Sequence, residues 1–288
     1  MSYQYGLRPI QSQPRIKLCD FYTSSLPTVE SLKFPLGHSD LVTQWGMLDN
    51  DRIGDCDPDA MLHMEMLFAA EAGKPVNVTD QTAVQLYSAI TGYVPGPELT
   101  NPELAGQNPT DQGTDVAQGV QYWQNTGLGV GGKIVGYAGL TPGDSDELAV
   151  ALSQFEAVLL GINAADFIQA QFAAGGPWQP EPGRHKIVGG HAIPAVSASS
   201  RDLFQIVTWG AKIGMTSAFY QAYNTVAVVV LTEDMFNGNT DIDGIDFKAL
   251  AAELPAFNTG PVSLKAPRKA KAVETVELPE ADDAQPTD

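Results

Sequence analysis

The chain is poor in cysteine and in charge. Its 288 residues include two cysteines, Cys19 and Cys56, too few for a disulfide framework and without a CxxC metal knuckle. One bridge between them is open to the chain, but reduced thiols are the expectation. Charged residues make up 17% of the chain, and 16 Lys and Arg stand against 34 acids, a formal net charge of −18. A surface so short of positive charge repels phosphate backbones and anionic lipid, which argues against nucleic acid and membranes as partners. There is no apolar run of about 18 residues to cross a bilayer, and MSYQYGLRPIQSQPRIKLC at the start lacks the apolar stretch of a signal peptide. The expectation is a protein kept in the cytosol, or built into a particle assembled there. His38, His63 and His185 show no HExxH or other ligand spacing, so neither metal nor cofactor is expected.

What the chain does contain is 43% hydrophobic residues, 28 Gly and 20 Pro, a mixture suited to a loop-rich globule with a sizeable core. Residues 1–44 are punctuated by Pro and Ser and read as an extended arm on the body. From Cys56 to Glu71, Met61, Met64, Leu67, Phe68 and Glu71 keep helical spacing. Asp55 or Asp57 would cap that helix, Pro58 suits its first turn, and Gly73-Lys74-Pro75 ends it. Further helices are expected over Thr79–Ile90 and Thr114–Asn125, with a Pro-bearing loop over 94–113 between them.

Beyond residue 128 the character changes. Lys133–Tyr137, Ala157–Ile162, His191–Ser197, Phe204–Trp209 and Ala227–Thr232 are β-branched and aromatic, as strands are. Helical patterns lie between them at Ser145–Phe155, Asp166–Ala173 and Thr216–Tyr223. Helices first and strands mostly later imply an α+β fold, with a cleft between a helical part (about 45–127) and a sheet part (about 128–258). Residues 259–288 carry a basic cluster and then an acidic run, without core formers, and read as a disordered tail.

A thiol at a helix N-terminus is favoured as thiolate by free N–H groups and the helix dipole. Cys56 has that position, after Gly54-Asp55. His191, in Gly189-Gly190-His191-Ala192-Ile193, opens an apolar strand where an imidazole could take the thiol proton and return it to a leaving amine. Thr208-Trp209-Gly210 ends the next strand. Against activation, Asp49, Asp51, Asp55, Asp57 and Asp59 crowd the thiol, and nearby carboxylates raise a thiol's pKa.

The order of a Cys at a helix start, Gly-Gly-His-Ala on a strand and then Trp-Gly resembles the papain-like cysteine peptidases. The separation, 191 − 56 = 135 residues, falls in the family's range of roughly 130–150. The blocks W-G-x-L-x-N-D-x-x-G-D-C, G-G-H-A and T-W-G look closest to uncharacterised papain-like proteins of phages and bacteria, over about residues 40–232. The resemblance implies a two-lobed fold, a helical lobe carrying the cysteine helix against a mainly antiparallel sheet or half-barrel lobe. It makes Cys56 the nucleophile and His191 the general base. Asn50 stands in the place of the oxyanion-hole glutamine, six residues before the cysteine and one methylene shorter. Val207 stands where the family has the asparagine that orients the histidine, and loss of such an orienting group in a related triad costs ~10⁴-fold.

Two functions follow. One is a cysteine hydrolase, a peptidase or amidase acting on a peptide or protein without a cofactor. The other is a non-catalytic papain-like module that docks onto a larger assembly such as a phage virion. Two other motifs fail on inspection. Gly127-x-x-x-x-Gly132-Lys133 begins like a phosphate loop, but Ile134 replaces the required Ser or Thr. Asn239 to Gly244 begins like a calcium loop, but its twelfth position is Leu250 instead of Glu, and Asp246 reads better as the cap of a helix over Phe247–Leu254.

Overall fold

In the computed structural model the described residues are 3–10, 14, 17–18 and 26–232, together with the backbone of 276–277. Cys19, the calcium-like segment, the expected helix over Phe247–Leu254 and nearly all of the expected tail lie outside them.

Six α-helices are described: α1 (Cys56–Glu71), α2 (Asp80–Thr91), α3 (Val116–Asn125), α4 (Ser145–Phe155), α5 (Ile168–Ala173) and α6 (Ser217–Tyr223). The strands are β1 (Ile134–Gly139), β2 (Val158–Ala165), β3 (Arg184–His185), β4 (Ile187–Ser200), β5 (Leu203–Thr208), β6 (Ala211–Thr216), β7 (Asn224–Thr232) and β8 (Val276–Glu277). Six of them form one antiparallel sheet in the order β1-β7-β2-β4-β5-β6, while β3 pairs with β8. The fold is α+β, as expected.

Helix starts follow local chemistry. Thr79 closes a capping box with Thr82 at α2, while Asp115 and Asp144 accept first-turn N–H groups at α3 and α4, each cap contributing about 1 kcal/mol. Asp55 precedes α1 without a side-chain cap bond. The single apolar stripe expected on α1 is too narrow a description, because the helix is buried almost all round.

The sheet alternates, as period-2 side chains must. Leu159, Ala192, Val207, Val228 and Val230 join α1–α3 in one core, and Leu160, Ile193, Ile206, Val229 and Leu231 join α4–α6 in the other. Helices therefore cover both faces of the sheet, and the α1 side carries the cysteine. β6 was not legible in the sequence. It is joined to β5 by the two-residue turn Trp209-Gly210, where Thr208 pairs with Ala211 and both turn residues have positive φ, +45° and +76°. That is the signature of a type I′ hairpin, an unusual place for a residue as large as Trp.

Phe155, 1% exposed between α4 and the sheet, provides a test of the far core. Phe155→Ala is expected to lower the unfolding free energy by about 3–5 kcal/mol in a denaturant titration, whereas Leu41→Ala at a 52% exposed site changes it by less than about 0.5 kcal/mol.

Candidate active site

The start of α1 meets β4 beneath the N-terminal arm. Cys56 Sγ accepts a hydrogen bond from the Ala192 N–H at 3.3 Å, so the sulfur touches the residue next to His191. The Gly6 backbone also approaches the thiol and favours its ionised form. Cys56 and His191 are each 1% exposed. No hydrogen bond joins the sulfur to the imidazole. The ring is held from its other side, with Nε2 2.8 Å from Thr208 Oγ1, while Nδ1 is buried without a hydrogen-bond partner among the described residues.

The orienting position that the sequence seemed to lack is thus filled one residue later. Val207 faces the core cluster containing Cys56 and Ala192, while Thr208 reaches the ring. If Nε2–H donates to the threonine, Nδ1 carries the free lone pair a base needs. Trp209 stacks on the imidazole, centroids 4.9 Å apart and planes 20° apart, and the I′ turn is what swings the indole there.

The arm runs through the site. Tyr3 stacks on Trp209 at 4.5 Å, and Tyr5 meets His191 edge-on at 5.7 Å. Leu7 N–H donates to Gly190 O at 3.0 Å, Thr114 N–H to Gly6 O at 2.8 Å, and Arg8 N–H to Thr114 O at 2.9 Å. Two close approaches make this path possible. A Cβ on Gly6 would lie 1.7 Å from Gly54 O, and Cβ atoms on Gly189 and Gly190 would collide with Tyr5 and Leu7. The twin glycines before His191 admit the arm. Residues 3–8 thus lie over the candidate nucleophile.

Asn50 lies in the loop before α1, buried, but its amide donates to Asp55 Oδ1 at 3.1 Å and to Ile53 O at 3.5 Å. Its donors face the loop rather than the sulfur. Gly54 N–H is held by the Asp111 carboxylate at 3.0 Å, and Asp111 is in turn held by the Tyr87 hydroxyl at 2.6 Å. This pair, invisible at a separation of 24 residues, fixes the approach to Cys56.

Electrostatics keep the pair neutral while it is covered. Burial pushes the Cys56 thiol up, and Asp57 and Asp55 add to the shift. Burial pushes His191 down to about 3. The remaining acids are themselves penalised. Desolvation raises Asp55 and Asp59 well above the usual range, and Asp57 to about 7. Of the five acids, Asp55, Asp57, Asp59 and Asp49 are buried, while Asp51 is partly exposed. His63, buried against Trp45 O at 3.0 Å, is held down to about 4 and is structural.

The phosphate-loop look-alike is filled from within. Glu65 Oε1 accepts the Gly132 N–H at 3.2 Å, and a carboxylate there repels an anion. Among the described residues no helix is long and apolar enough to cross a membrane.

This architecture defines the class of the fold, which is that of the papain-like cysteine proteases. The chain is similar to xylellain, a cysteine protease from Xylella fastidiosa, with a TM-score of 0.57 at 14% identity over 80% of this chain and 97% of that one. It is also similar to digestive procathepsin L 3 of Tenebrio molitor larval midgut (TM-score 0.51, 13% identity, 78% and 76% covered). A ragweed pollen cysteine protease allergen in its proform gives a TM-score of 0.50 at 14% identity, with 74% and 70% covered. No protein-family model and no curated protein matches the chain.

Asp57 yields a pH test. Neither of its carboxyl oxygens has a hydrogen-bond partner among the described residues, and its pKa rises from the ordinary 3.8 to about 7. A raised folded-state pKa means the contribution is favourable below about pH 4 and is lost as pH rises through 7. Asp57→Asn should therefore gain stability over the parent chain between pH 4 and pH 8, by on the order of 2–4 kcal/mol, read from denaturant midpoints at each pH.

Proposed function

We propose that the chain is a cysteine hydrolase, a peptidase or amidase, held closed by its own N-terminal arm. The observation that carries this reading is the placement of Cys56 Sγ on the backbone of Ala192, beside a histidine whose Nε2 is occupied by Thr208. Nδ1, the ring nitrogen without a hydrogen-bond partner among the described residues, is the one to take the thiol proton, once displacement of the arm lets the ring and the sulfur come within hydrogen-bond reach. The thiolate adds to a carbonyl carbon, and Nδ1–H then protonates the departing amine. Water cleaves the resulting thioester, with the same imidazole as base. The Cys56 N–H and the Asn50 amide would hold the oxyanion, the amide first releasing its long 3.5 Å contact to Ile53 O.

Arm displacement and activation are linked in this scheme. The shifts on Cys56 and His191 are both caused chiefly by burial, so admitting water and substrate relaxes both and lets the proton pass. The substrate is a peptide or protein segment that takes over the backbone positions of Gly6 and Leu7, and the enzyme works in the cytosol or within a phage particle.

A second reading has two observations in its favour. The Asn50 amide is turned to Asp55, and the collar of acids opposes a thiolate, as suits a non-catalytic papain-like module docked onto an assembly.

Labelling separates the two. A side chain at Gly6 cannot coexist with Gly54, so Gly6→Val should lift the arm. Mass spectrometry after iodoacetamide treatment should show Cys56 of Gly6→Val alkylated at least about ten-fold faster than in the parent chain, and well below pH 8.5. A quenched peptide library should be cleaved in parallel. Cys56→Ala and His191→Ala should abolish cleavage, and Thr208→Val should slow it by ten-fold or more, short of the ~10⁴ seen for a lost orienting carboxylate. If Gly6→Val keeps its circular dichroism yet Cys56 reacts no faster than an ordinary thiol, the hydrolase reading fails.

A further inference from the structure

Away from the cleft, three side chains from distant parts of the chain converge on one point. His38 lies near the end of the segment 1–44 that precedes the body, Glu71 is the last residue of α1, and Glu156 follows the end of α4. His38 Nδ1 is 3.0 Å from Glu156 Oε1 and 3.3 Å from Glu71 Oε2, and the three ligand atoms lie within 4.8 Å of one another. From these distances we propose that His38, Glu71 and Glu156 form a divalent-cation site of the zinc type.

The argument is one of charge and valence. An Nδ1 proton donated to Glu156 Oε1, the nearer of the two acceptors, leaves Glu71 Oε2 without a proton directed at it. Glu71 Oε2 is then sealed from solvent with no hydrogen-bond partner among the described residues, an arrangement that costs free energy. The Glu156 side chain is 3% exposed, and its pKa is raised by burial, with Glu71 opposing its ionisation and His38 favouring it. A dication bound to the Nδ1 lone pair and one oxygen of each carboxylate satisfies all three at once.

The spacing agrees with tetrahedral coordination. Metal–ligand bonds of about 2.0–2.1 Å require ligand atoms about 3.3 Å apart, close to both distances from the imidazole. The remaining oxygen, Glu156 Oε2, accepts the backbone N–H of His38 at 3.1 Å, which orients Oε1 toward the site as outer hydrogen bonds do at metal centres. The His38 side chain is 52% exposed, which leaves a path for the ion and a fourth position for water. One imidazole with two carboxylates suits zinc, or cobalt as its probe, better than calcium or magnesium, which prefer oxygen alone. An ion here would fasten the end of the arm to the far end of the cysteine helix.

The test is titration of the full chain with Co2+, followed by visible absorption, and displacement with Zn2+. The parent chain should bind one equivalent saturably, without the near-ultraviolet thiolate band that Cys56 or Cys19 would give. His38→Ala, Glu71→Gln and Glu156→Gln should each weaken binding by at least about ten-fold, and His185→Ala should leave it unchanged. Zn2+ should raise the melting temperature of the parent chain but not of the three variants. Absence of saturable binding, or binding in all three variants equal to that of the parent chain with folding intact by circular dichroism, would overturn the proposal.

Discussion

Three backbone segments meet at one sulfur atom, and the rest of the site depends on that meeting. The first turn of α1 presents Cys56, β4 supplies the Ala192 N–H, and the arm supplies Gly6. The approach is close enough that a Cβ on Gly6 would lie 1.7 Å from Gly54 O, and one on Gly54 would lie 3.0 Å from Gly6 Cα. Burying α1 on all sides fixes its start against the sheet, and Asp111 with Tyr87 pins the loop ahead of it. A helix end held this firmly cannot drift from the histidine strand.

The same burial governs the chemistry. A solvated thiol at a helix N-terminus gains from the dipole, yet here desolvation dominates and drives Cys56 up and His191 down. The acids at the start of α1 add to this, since Asp55, Asp57 and Asp59 are raised rather than paired with cations. The covered state is an uncharged one. In the proposed function, water admitted by displacement of the arm is what changes that balance.

Thr208 shows how a fold can replace a residue that a sequence pattern demands. Adjacent strand residues point to opposite faces, so Val207 packs with the cysteine layer while Thr208 reaches His191 Nε2. A hydroxyl can donate or accept and holds the ring by one bond. Trp209, bent through a positive φ, adds the stacking surface.

Much of the fold was legible in the sequence because it rests on local signals. Helical spacing and Pro58 marked α1 at its observed limits, helical patterns over Thr79–Ile90 and Thr114–Asn125 anticipated α2 and α3, and β-branched runs marked five strands. β6 was missed because Ala211–Thr216 contains Gly214 and follows a turn only its dihedral angles reveal. Cys56 and His191 could be nominated from helix-start and strand context. Thr208, the direction of the Asn50 amide, the path of Tyr3–Arg8 over the sulfur and the meeting of His38 with Glu71 and Glu156 could not be. Each depends on contacts between residues far apart in the chain, whose spacing carries no period. The sequence by itself determined which elements form and which residues carry reactive groups, since propensity and patterning act over a few residues. Tertiary structure alone decided which groups touch and whether they are charged, because both depend on what excludes water.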